Sequence, residues 1–272
     1  MQKTQKRSRF LWLLIAAAVV MTAVSAWKMA GVLREHILSE QGFSRLEVTE
    51  EELQQGTLVL VNRENAWGGT AADFVQVFAN KTGSYSVKDK TVYVHGAMMQ
   101  AMNDMMDSFY AVSGSSRVIV TSGYRDETLQ QSLYDTSAAA NGKDHADRFV
   151  APAGRSEHHT GLAVDLGLYD TETGIYTDFD GTGDCAWFAE NCADYGFILR
   201  YTRDKEFATG YADEPWHFRY VGLPHSVYIM EKGLCLEEYI ELLHKYPYDG
   251  KHLTVKHDNR RWEVYSCDAD KV

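Results

Sequence analysis

Two stretches of this chain hold residues that can do hydrolytic chemistry together. One is Ser156-Glu157-His158-His159-Thr160-Gly161-Leu162-Ala163-Val164-Asp165, and the other, further along, is Glu214-Pro215-Trp216-His217. Imidazoles and carboxylates follow one another in an order that suits a catalytic zinc ion. Such an ion takes three protein ligands of the His/carboxylate type and leaves its fourth position to water. His158, Asp165 and His217 are the candidate ligands, and Glu214 is left over as the base.

Spacing tests this reading. His158 and Asp165 are an odd number of residues apart, so on one continuous strand they would face opposite ways. A turn at Gly161 removes the conflict by letting His158 precede the strand from which Asp165 projects. His217 points away from Trp216 and Phe218, so it faces a cleft if those two rings fill the core. Taken singly, each residue has an ordinary alternative. His158 reads as a surface-loop residue, Asp165 as a strand-end cap, His217 as a hydrogen-bonded structural histidine, and Glu214 as a solvated turn acid like Asp213. The four together are specific.

The pattern Ser156-x-His158-x-x-Gly161-x-Ala163-x-Asp165, with Glu214-x-Trp216-His217, closely resembles that of the VanY-like D-alanyl-D-alanine carboxypeptidases, members of the LAS group of zinc peptidases. Ser122-Gly123-Tyr124-Arg125 with Gln130 and Gln131 matches a third block, and the run Glu214 to Gly222 matches the last one almost throughout. The resemblance covers about residues 57–243. It implies one zinc ion per chain on His158, Asp165 and His217, with Glu214 as catalytic base. Arg125 acts on the substrate or the developing oxyanion, Ser156 and Gln130 help hold the C-terminal carboxylate, and Tyr124 and Trp216 contact the substrate. Arg125 alone also reads as half of a structural salt bridge near a strand end.

The implied reaction is removal of the terminal D-alanine from peptidoglycan stem peptides ending in D-Ala-D-Ala, the target of glycopeptide antibiotics. The alternatives are an L,D-carboxypeptidase, a D,D-dipeptidase, or a catalytically inactive cell-wall-binding module. The last has little reason to keep base, ligands and Arg125 together. His159 departs from the pattern, because it stands where these enzymes commonly carry glutamine. It is expected beside the metal or in the cleft wall, not on the ion.

The rest of the chain must position these groups and deliver them to their substrate. Net charge is −11, yet Lys3, Lys6, Arg7 and Arg9 put +4 into the first nine residues, so the remainder carries −15. A surface so acidic makes nucleic acid a poor partner. Phe10 to Trp27 is free of formal charge and about long enough to cross a bilayer as a helix. Basic residues ahead of it orient the C-terminal side outward. An uncleaved single-pass anchor is the preferred reading over cleavage near Val24-Ser25-Ala26. The organisation read is therefore a basic cytoplasmic tail at 1–9, an anchor at 10–27, a linker at 28–56, a peptidase domain at 57–247 and a C-terminal β-hairpin extension at 248–272. Four cysteines without a Cys-x-x-Cys pair predict packed or free thiols.

Within the domain, Thr57 to Val61 predicts a strand, and a methionine stripe from Met98 to Met106 predicts a core-facing helix over His95 to Ser113. Arg117 to Thr121 predicts a buried strand, Glu127 to Tyr134 a helix, and Ser137 to Gly154 a loop bordering a cleft. Strands follow at Leu162 to Leu168, Gly196 to Arg200 and Trp216 to Val221. Helices are predicted at Asp184 to Tyr195, Ser226 to Glu231 and Leu236 to His244, and a hairpin about Asp258-Asn259. The mixture implies an α+β fold: a small, mostly antiparallel sheet carrying the zinc site, flanked by helices and preceded by one N-terminal transmembrane helix.

Overall fold

Runs of β-branched and aromatic residues build one six-stranded sheet and two small ones in the computed structural model, which describes residues 28–29, 56–70 and 72–267. In chain order the strands are β1 (Phe74–Gln76), β2 (Ser86–Val87), β3 (Tyr93–His95), β4 (Val118–Ser122), β5 (Ala163–Tyr169), β6 (Tyr176–Asp178), β7 (Phe197–Tyr201), β8 (Glu214–Tyr220), β9 (Leu253–His257) and β10 (Arg260–Val264). The large sheet runs β2-β4-β5-β8-β7, with β6 also paired to β5. Only the β2–β4 pair in it is parallel. Mixed α and β elements around a mostly antiparallel sheet are what the sequence predicts.

The two sheet faces follow from period-two alternation. Val164, Leu166, Phe197 and Phe218 point to one face, where the helix Gly96–Ser113 lays Met98, Met102, Met105, Met106 and Phe109 against them. The methionine stripe is thus core packing, except that Tyr110 at its end is 46% exposed. On the opposite face Ile198 meets Ile229, Leu236 and Tyr239 from the helices His225–Lys232 and Leu236–Leu243. Asp165 and His217 belong to this second face, so the core on the first holds the backbone that aims them.

Three expectations need correction. Thr57 to Val61 forms no strand. The carbonyls of Thr57 and Val59 instead accept hydrogen bonds from Arg219 Nη2 at 2.9 and 2.8 Å, so a side chain takes the place of a partner strand. Ser137 to Gly154 is mostly helical. The helix from Glu127, capped by Asp126, continues to Asn141, breaks at Gly142 with φ +88°, and resumes over Lys143–Phe149. Asp184 to Tyr195 is three short helical pieces rather than one helix. The C-terminal hairpin is present about the Asp258-Asn259 turn. Leu253 and Val255 join the second core, which makes it part of the body and not an appendage.

The chain divides into two units, Met1–Val48 and Thr49–Val272. The anchor expected at 10–27 and the basic tail before it lie outside the described residues, and of the first unit only Lys28 and Met29 are described, both helical. No helix among the described residues is long and apolar enough to cross a membrane. All four cysteines are free thiols, three of them buried.

Candidate active site

His158 sits on a short helical turn, Glu157–Thr160, which Ser156 caps by accepting from the His158 backbone N–H. Gly161 ends this turn in the left-handed region at φ +68°, and a Cβ there would come within 2.5 Å of the Phe74 ring. Only glycine serves at this point. The chain then enters β5, where Asp165 lies directly opposite His217 of β8 on one side and opposite Ser122 of β4 on the other. An irregularity between Val120 and Ser122 shifts the β4 register just before the chain leaves the strand toward Arg125. Gly123 follows it so close to β3 that a Cβ would meet the Tyr93 carbonyl at 2.2 Å. The Gly123 carbonyl is thereby placed to bond His158 Nδ1 at 2.6 Å.

His158, Asp165 and His217 converge, with one ligand atom from each lying within 4.8 Å of the others. A carbonyl can only accept, so Nδ1 of His158 carries the proton and Nε2 keeps its lone pair. That Nε2 is buried and has no hydrogen-bond partner, and with the proton on Nδ1 it has none to offer Asp165 Oδ2, 3.2 Å away. A buried nitrogen lone pair aimed beside a carboxylate and a second imidazole fits a metal ligand. His217 turns Nδ1 toward Asp165 Oδ1 at 3.0 Å and Nε2 toward Glu157 Oε2 at 3.2 Å. The donor set is the nitrogen and oxygen mixture zinc takes in hydrolases, and the residues fit the ion.

Electrostatics point the same way. Burial and the nearby Arg125 push His158 down to about 4, which keeps it neutral and able to ligate. Burial raises Asp165, but the Arg125 guanidinium paired with it overrides this and holds the carboxyl well below the usual carboxylate range. For His217 burial opposes charge, yet its hydrogen bonds to Asp165 and Glu157 lift it to about 9. Two carboxylates thus face this one imidazole. Burial pushes Glu214 up to about 8, with the neighbouring His217 working against the shift.

His158, Asp165, His217 and Glu214 line one cleft of about 390 Å³ together with Arg125, Gln130, Ser156, Trp216, Tyr201 and Tyr211. The helical pair over 127–149 forms its far wall through Ala140, Asn141 and Phe149. Arg125 donates from Nε to Ser122 Oγ at 2.8 Å and from Nη1 to Gln130 Oε1 at 3.3 Å, and Nη2 pairs with Asp165. Its fork is thus held at the cleft, in a salt bridge as well as within reach of a ligand. Tyr124 is elsewhere: its ring packs on Phe74 at 4.2 Å and it does not line the cleft.

His159 lies outside the cluster. Its Nε2 accepts from the Gly154 N–H at 2.9 Å and its Nδ1 donates to the Arg125 carbonyl at 2.7 Å, so both nitrogens are spent on backbone. Glu157, absent from the candidates read in the sequence, is fully buried against His217, Arg200 and Arg219. The available signal was Arg219, two positions from His217 on the same strand face, since a guanidinium on an inward face needs a buried partner. Nothing in the sequence marked Tyr201 or Tyr211.

Comparison with known proteins agrees with this geometry. The VanY family, described as D-alanyl-D-alanine carboxypeptidase, matches residues 91–223. A D-alanyl-D-alanine carboxypeptidase of Enterococcus faecium is 34% identical over 223 residues, covering 80% of this chain and 67% of that protein. Among solved structures, the vancomycin resistance D,D-dipeptidase VanXYg in complex with a D-Ala-D-Ala phosphinate analogue is similar with a TM-score of 0.71 and 34% identity, over 81% of this chain and 84% of that one. The vancomycin resistance D,D-pentapeptidase VanY from a VanB-type cassette, in complex with Zn(II), is similar with a TM-score of 0.56 and 32% identity, over 68% and 98%.

Proposed function

Given that the chain belongs to the VanY family of D-alanyl-D-alanine carboxypeptidases, a zinc peptidase by its relatives and its donor set, we propose that it removes the terminal D-alanine from peptidoglycan stem peptides outside the cell. The observation that carries this reading is the meeting of His158, Asp165 and His217 in one cleft with a buried Glu214 and the Arg125 fork.

Zinc, when bound by the three ligands, supplies polarisation of the scissile carbonyl and a more acidic water. The rest falls to side chains. Glu214 takes the proton of the attacking water and passes it to the leaving amine. Burial, which raises this carboxyl, also suits it to hand the proton on. Arg125 offers a planar pair of donors to the substrate's terminal carboxylate, kept in place by Ser122 and Gln130. Ser156 and Trp216 complete the cleft, where the Tyr201 and Tyr211 rings limit water.

The likeness to VanXYg makes dipeptidase action the second reading. Carboxypeptidase action on a longer stem needs room upstream of the scissile bond. A second depression of about 600 Å³ reaches Asp165 and Trp216 from the β5–β6 side, lined also by Lys88, Tyr176 and Asp178. That room favours the longer substrate. Incubating the purified full-length chain with penta- and tetrapeptide stems and with free D-Ala-D-Ala should, by mass spectrometry, yield tetrapeptide plus D-alanine as the main product. Preferential cleavage of the free dipeptide would favour dipeptidase action, and of the tetrapeptide the L,D reading.

The apolar run at 10–27 and the basic residues before it support a membrane anchor with the peptidase outside. Protease added to intact protoplasts should then remove the peptidase domain, and full protection of that domain would overturn the assignment.

A further inference from the structure

Glu157 is adjacent in sequence to one candidate ligand and touches the other. Its carboxylate is fully buried, and its two oxygens do different work. Oε1 receives Arg200 Nε at 2.8 Å and Arg219 Nη1 at 2.9 Å, both from guanidiniums with no exposed side-chain surface. Oε2 lies 3.2 Å from His217 Nε2. The two arginines are anchored in turn. Arg200 donates to Glu237 at 2.6 Å, which also takes Asn62 at 3.0 Å, and Arg219 reaches the Thr57 and Val59 carbonyls. The carboxylate therefore cannot rotate away from His217 without unpairing two buried cations.

We infer that Glu157 is a positioning residue that fixes the His217 imidazole with its proton on Nε2 and its Nδ1 lone pair toward Asp165, the state in which His217 can ligate. The inference rests on the reading of His217 as a zinc ligand. A carboxylate only accepts, and both ring nitrogens of His217 face one, Nε2 toward Glu157 Oε2 and Nδ1 toward Asp165 Oδ1 at 3.0 Å. Asp165 is itself a candidate ligand, so once it and Nδ1 turn to one ion only Glu157 is left to hold the imidazole proton, on Nε2. The usual alternative, that Glu157 does no more than neutralise Arg200 and Arg219, predicts lower stability after its loss and no effect on metal affinity.

Glu157→Gln separates the two accounts. The arginines need an acceptor, so the amide oxygen faces them and its NH₂ faces His217 Nε2. That donor pushes the imidazole proton onto Nδ1, where it competes with the metal. Zinc affinity of the full chain, measured by competition with a chromophoric chelator, should fall about 10- to 100-fold. The ligand-field bands of the cobalt(II)-loaded variant should also shift. His217→Ala, measured alongside, should lose zinc outright. If His217→Ala binds zinc like the wild type, the ligand reading itself is wrong and this inference goes with it. If His217→Ala loses zinc but Glu157→Gln keeps affinity within about two-fold and unchanged cobalt bands, only the positioning role is refuted. Should Glu157→Gln fail to fold, the charge-balanced Glu157→Gln/Arg219→Met pair is read by the same criteria. Imidazole ¹⁵N shifts of the zinc-loaded wild-type chain need no variant: a protonated Nε2 on His217 is expected, and a protonated Nδ1 would overturn the inference.

Discussion

Glu214→Gln is expected to leave zinc bound and to cut D-alanine release by roughly two to four orders of magnitude, the usual range for a lost acid–base group. The exchange keeps the shape of a side chain that is 6% exposed in the cleft wall, so packing on β8 is preserved. What it removes is a group that can accept and release a proton near neutral pH. Burial raises the Glu214 carboxyl to about 8, and the positive charge of a bound zinc lowers it from there. Base action requires the ionised form, so turnover of the wild type should rise with pH as this carboxyl loses its proton. The glutamine variant should lack that limb in whatever activity remains. Near-wild-type turnover with zinc bound would make Glu214 a bystander, and loss of zinc would make it a ligand. Metal content and D-alanine release measured on one preparation tell the three outcomes apart.

How much of this was legible in the sequence depends on how far apart the determining groups lie. His158, Gly161 and Asp165 are set by one turn and one strand, so their spacing admits the geometry, and the combination with Glu214 and His217 singles it out. The same holds for the helix Gly96–Ser113, whose buried stripe is written in its own periodicity. Legibility failed where a partner from another element decides the outcome. Thr57 to Val61 has the composition of a strand, but its carbonyls are taken by Arg219, far along the chain. The helical part of 137–149 was hidden because it lies over a cleft rather than a core; the helix start at Glu127 was legible, but only Gln130 is buried in that helix, so no apolar stripe carries it on to Asn141. Glu157 was missed for the reason that makes it important. A glutamate beside a ligand histidine reads as solvated until Arg200 of β7 and Arg219 of β8 are brought around it.

The adjacent histidines offer the most decisive test of the metal site. His158→Ala should bring zinc occupancy close to zero and reduce D-alanine release by at least about three orders of magnitude, because the electrophile and the acidic water are lost together. Asp165→Ala and His217→Ala should behave alike. His159→Ala should keep its zinc, since both ring nitrogens of His159 are occupied by backbone, at Gly154 and at Arg125, and neither faces Asp165. Its cost should instead be about 1–3 kcal/mol of stability, from leaving two backbone groups unpaired in a site that is 1% exposed at His159. Because the Arg125 carbonyl is one of those groups, a modest rise in KM for the pentapeptide is expected as the guanidinium loosens. The contrast turns on a single residue step: the short helical turn Glu157–Thr160 sends one imidazole into the cleft and the next into the scaffold behind it. Zinc retained in the His158 variant and lost in the His159 variant would mean that the turn presents the other ring, and the ligand set would have to be redrawn.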